Sequence, residues 1–147
     1  MSRRWRCDDS GSAVVEFLGL AVTLLVPLVY LVLVLGRLQA GTFAADAASR
    51  EAARAYAAAP TADVGSARAV ASVGLALRDQ GFDADPGGAL TLTCSDRCLE
   101  PGSDVDATVQ VQVPLPFVPP FVRSVVPLQI AVSAAHTAAV DDFRAAP

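Results

Sequence analysis

Residues Gly11 to Leu35 (GSAVVEFLGLAVTLLVPLVYLVLVL) form a near-continuous apolar run with one acid, Glu16, close to its start. From Phe17 to Leu35 no side chain is charged, and Thr23 and Tyr30 are the only polar ones. At 1.5 Å per residue that segment measures roughly 28 Å, about the thickness of a bilayer's hydrocarbon core. A helix on a globular surface keeps a polar stripe. This one has none, so the pattern predicts a single transmembrane helix over 12–36. Pro27, in mid-helix, removes a backbone donor and predicts a kink of the kind membrane helices tolerate.

The pattern changes after Leu35. The stretch GRLQAGTFAADAASREAARAYAAA lacks proline until Pro60 and is rich in alanine, the best helix former, so the helix is expected to continue over 37–59. Asp46 and Arg50 are placed for an i,i+4 ion pair. Small residues recur four apart at Gly36/Ala40, Gly41/Ala45 and Ala48/Ala52, a spacing that lets another helix, or the chain's own domain, approach closely.

A break is expected over Pro60–Val64. Ser66–Gln80 then shows apolar positions at helical spacing, with Gly81 placed to stop the helix. Asp83–Gly88 (DADPGG) is turn chemistry. Three strand patterns follow. Leu90, Leu92 and Cys94 alternate with Thr91 and Thr93. Val105, Ala107, Val109, Val111 and Val113 alternate with polar residues, and Leu128, Ile130, Val132 and Ala134 share a third face. The fold expected over 60–147 is a small α+β domain whose antiparallel sheet buries one face against helix.

Composition narrows the function. Hydrophobic residues make up 53% of the 147, but many belong to the apolar run or are alanines, so the core outside the membrane must be small. Arg3, Arg4 and Arg6 precede the run, and Arg37 is the only close basic residue after it. The positive-inside rule therefore keeps the N-terminus (1–11) cytoplasmic and sends the rest outward in the cell membrane, with Arg37 free to snorkel to the far interface. A cleaved secretory signal would have a shorter apolar core and an A-x-A-like site, for which Leu38–Ala40 is a weak match. The net charge of −4, with no basic run after the first six residues, argues against a nucleic-acid partner.

In that topology Cys94 and Cys98 lie where disulfides persist, and a bridge would pin the turn after the first strand. A metal or redox site would need more ligands, and His136 is the one further candidate. His136 shares parity with Ile130 and Val132, so it reads as a structural histidine. Pro114, Pro116, Pro119 and Pro120 make the stretch 114–120 an extended crossover. From it Phe117, Val118, Phe121 and Val122 reach the core, the outer leaflet or a partner. No nucleophile elbow, phosphate loop or metal-ligand spacing occurs. The residues therefore imply no enzyme, no cofactor, no metal and no small-molecule substrate.

Gly11 is followed by Ser12, Ala13, Val14, Val15, Glu16 and Phe17 after a short basic leader. This pattern resembles the type IV pilin class of signals, and with ADAASREAARAYA further on (Ser49 to Ala55 above all) the chain resembles the TadE-like minor pilins or pseudopilins of the Tad (tight adherence) system. The clear resemblance covers residues 11–57. It implies a type IV pilin-like architecture and cleavage of the Gly11–Ser12 bond by a separate prepilin peptidase. It further implies a role in assembling a pilus or secretion apparatus with other pilins, pseudopilins and Tad proteins. Glu16 would then be residue five of the mature chain, followed by the aromatic Phe17. A free amino group at Ser12 and the Glu16 carboxylate would neutralise each other between neighbouring subunits. Cleavage removes three arginines and two aspartates, taking the net charge from −4 to −5, and Cys7 leaves with them. Two other readings stay open. Glu16 placed at headgroup depth near the positive end of the helix dipole needs no partner, and an unprocessed, membrane-anchored binding module would carry its function in the α+β domain.

Overall fold

A computed structural model describes residues 12–118 and 128–143. In chain order the elements are α1 (Ser12–Ala57), α2 (Ala62–Asp79), α3 (Pro86–Ala89), β1 (Leu90–Cys94), β2 (Asp104–Pro114) and β3 (Gln129–Ala139). The strands form one antiparallel sheet in the order β1-β2-β3, so the class is α+β. The chain divides into two compact units, one ending at Leu35 and the other beginning at Gly36.

In the first unit α1 runs through Pro27 without interruption. The Thr23 hydroxyl donates to the Gly19 carbonyl at 2.7 Å, so this polar side chain is satisfied within its own helix.

The second unit holds the core. Its part of α1 presents a stripe of small residues, Ala44, Ala45, Ala48, Ser49, Ala52 and Ala53, all fully buried. The stripe packs with the valines of β2 and with Ala69, Val73 and Leu77 of α2. Gly41 belongs to the stripe by necessity: a Cβ there would collide with Cγ2 of Val113. The small residues at Gly41/Ala45 and Ala48/Ala52 therefore serve the chain's own domain. Gly36, by contrast, has open space where its side chain would be. Buried Ser49 donates its hydroxyl to the Asp46 carbonyl at 3.0 Å, and on the exposed face Arg50 pairs with Asp46 at 2.8 Å. The Arg37 guanidinium lies over the Phe82 ring, 5.0 Å from its centre.

α2 begins earlier than the sequence pattern predicts, at Ala62. Thr61 is its N-cap, accepting from the Val64 amide, and α1 ends at Ala57 rather than at 59, so the break lies over 58–61 instead of Pro60–Val64. The stop is as expected. Gly81 adopts φ +72°, its amide donates to the Arg78 carbonyl, and the Phe82 amide donates to that of Leu77. This is a Schellman closure, and it sets Phe82 and Leu77, both buried, into one cluster. The DADPGG turn contains a short helix, α3, capped by the Asp85 carboxylate, which accepts from the amides of Gly87 and Gly88.

β2 has the period of its sequence: Val105, Ala107, Val109, Val111 and Val113 are buried and the residues between them lie outside the core. β3 starts at Gln129, so Leu128 falls just before it and is half exposed. Its inner residues, Ile130 to Ala138, are only half-buried. Val118 is buried while Phe117 is exposed; Pro119, Pro120, Phe121 and Val122 lie outside the described residues.

Candidate functional site

α1 places Glu16 and Phe17 in its second turn, both exposed, with Ser12 as its first residue; Gly11 lies outside the described residues. Around them the helix is apolar on every side. Val15, Leu20 and Val32 point in three directions more than 90° apart at about 100° per residue, and they are 70%, 62% and 61% exposed. None of the most apolar window of this helix is buried within the chain, and the helix is long and apolar enough to cross a membrane. Such a continuous apolar surface marks contact with lipid or with other helices. Glu16, in its second turn, forms no ion pair among the described residues.

The second motif, Ser49 to Ala55, has a plain structural role. Ser49, Ala52 and Ala53 are buried in the core, while Arg50, Glu51 and Arg54 are exposed. The alternation of small and charged residues is that of a helix lying on a sheet with its charges toward water.

Cys94 and Cys98 are joined by a disulfide, with their α-carbons 5.4 Å apart. The bridge closes the loop between β1 and β2. Within that loop Leu99 is 1% exposed with φ +68°, and it plugs the end of the core. The loop is also tied to β3, because the Val140 amide donates to the Ser103 carbonyl and the Gly102 amide to that of Val140. Sequence reasoning passes over Leu99. Its signal is faint: one apolar residue directly after a cysteine in an otherwise polar loop.

His136 is half-buried on the inner face of β3, opposite Ala107. No group of three His, Cys, Asp or Glu side chains is placed to hold a metal ion among the described residues. A shallow depression between α1 and α2 is lined by Glu51, Leu75 and Asp79 among others. No family model, no curated protein and no solved structure matches this chain.

Proposed function

We propose that this chain is a TadE-like pseudopilin. In this reading a prepilin peptidase cuts the Gly11–Ser12 bond on the cytoplasmic side. The apolar part of α1 stays in the cell membrane and packs among other pilin-like helices, and the α+β unit is presented outside as part of a Tad-type pilus or secretion apparatus. The observation that carries the reading is a single acid, Glu16, in the second turn of α1, whose course from there to Leu35 is otherwise apolar on every side.

A carboxylate in a low-dielectric bundle needs an opposite charge. Cleavage would create one, the amino group of Ser12, four residues before Glu16 on the same helix. A neighbouring subunit's free amino group and this carboxylate would satisfy each other and fix the axial register of the two helices.

Mass spectrometry of the N-terminus, on protein from its native membrane, tests the first step. A chain beginning at Ser12 is expected; one retaining Arg3 to Gly11 would defeat the reading. The Glu16→Ala variant tests the second. It should enter the membrane normally yet assemble poorly, and normal assembly would remove the charge-pairing mechanism.

A further inference from the structure

The outer edge of β3 is a long row of backbone groups with no strand beside it among the described residues. Which residues face outward follows from two hydrogen bonds. The Val140 amide donates to Ser103 at one end of the β2–β3 ladder, and the Leu115 amide donates to Leu128 at the other. Hydrogen-bonded pairs in an antiparallel ladder recur at every second residue. The even-numbered residues of β3 therefore direct their N–H and C=O groups at β2. Gln129, Ala131, Ser133, Ala135, Thr137 and Ala139 direct theirs outward. Pro114 fits this phase: opposite Gln129, it sits where β2 needs no donor toward β3.

Proteins defend such edges with charge, proline, a bulge or shortness. β3 has none of these. Its register with β2 is unbroken over 11 residues, about 34 Å of edge. It contains no proline and no Asp, Glu, Lys or Arg. The outward-facing residues carry small or neutral side chains, exposed on the wet face of the sheet. The inner face is also unfinished, since β3 is only half covered where β2 is fully buried.

We propose that β3 is a homotypic pairing edge, by which two copies of this chain join their β3 strands antiparallel into one six-stranded sheet. The edge is complementary to itself. A two-fold axis at Ala134 sets Ser133 against Ala135, Ala131 against Thr137 and Gln129 against Ala139, so outward groups meet outward groups in each pair. On the inner face Val132 meets His136 and Ile130 meets Ala138, extending the apolar layer. No like carboxylates or guanidinia are opposed within the strand, although the whole chain carries a charge of −4. The pairing is isologous and closes on itself. β1, with five residues, offers a much shorter edge for further growth. The pairing is independent of whether the leader is cut.

The test uses the full-length protein in a bacterial membrane, with Cys7→Ser to remove the free thiol. In that background Ser133→Cys is treated with a short bismaleimide, beside Thr108→Cys, which lies on the wet face of the central strand. The expected result is a crosslinked dimer and nothing larger from Ser133→Cys, and little from Thr108→Cys. Adding Ala135→Pro removes only an outward donor, and the dimer should fall roughly tenfold with the melting transition retained. Ala131→Lys with Ala135→Lys should do the same through exposed side chains, should the proline disturb the strand. The proposal is overturned by any of four results. These are monomer alone from Ser133→Cys, a ladder of higher species, capture of a different protein, or a dimer yield unchanged in both blocking variants.

Discussion

Gly41 and Gly36 show how differently two glycines of one helix can behave. A methyl group at Gly36 would enter open space, so Gly36→Ala should gain up to about 1 kcal/mol of helix propensity. At Gly41 the same methyl would meet the branched side chain of Val113, which is held in the core. Overpacking of this kind costs about 1–3 kcal/mol and outweighs the propensity gain. Chemical denaturation of the two alanine variants in detergent should show opposite shifts in midpoint. Equal shifts would mean that α1 does not lie on β2 as described. The sequence marks both residues by the same four-residue spacing and does not separate them, because only the neighbouring strand decides which glycine has room. Leu99 is obscure for a similar reason: it enters the core through a left-handed backbone that no periodicity announces.

Strands with one wet face are legible in sequence, and β2 is the clear case, its valines alternating with Asp106, Thr108, Gln110 and Gln112. Its partners follow the same period, and each strand pairs antiparallel with its neighbour in the chain. The N-terminus of α2 is less legible. Pro60, Thr61 and Asp63 read as a loop, whereas Thr61 caps the helix and Asp63 lies in its first turn, favourably near the positive end of the dipole.

The β1–β2 loop depends on the disulfide to present Leu99. Closing so small a ring contributes about 2 kcal/mol by loop entropy. Cys94→Ser with Cys98→Ser should therefore lower the unfolding free energy by that amount, read from chemical denaturation, and open the loop first. Proteolysis at Arg97 should accelerate in the variant before the core unfolds. If cleavage there keeps its original rate, the hydrogen bonds from Gly102 and Val140 hold the loop without the bridge.

At the scale of the whole molecule, the two units divide the physics between them. The described residues up to Leu35 bury none of their most apolar window within the chain, so they suit an apolar phase and add nothing to the core. The unit from Gly36 onward has its own helices, sheet and disulfide. A fragment comprising residues 36–147 should accordingly be soluble without detergent, retain the Cys94–Cys98 bridge and unfold in a single cooperative transition. Aggregation of that fragment, or a transition without cooperativity, would show that the preceding helix is needed to complete the fold. The pseudopilin reading adds one expectation at this scale: the full chain should leave the membrane only with detergent, after the leader is gone.

The alanine stripe of α1 also sets how this unit responds to temperature. Burying alanine forfeits no rotamers, and valine in a strand gives up few, so ordering the core costs little conformational entropy. The same residues hide little hydrocarbon per position. The heat-capacity change on unfolding is correspondingly low, and a low value flattens the dependence of stability on temperature. A modest margin of stability would then be held nearly constant between cold and warm conditions.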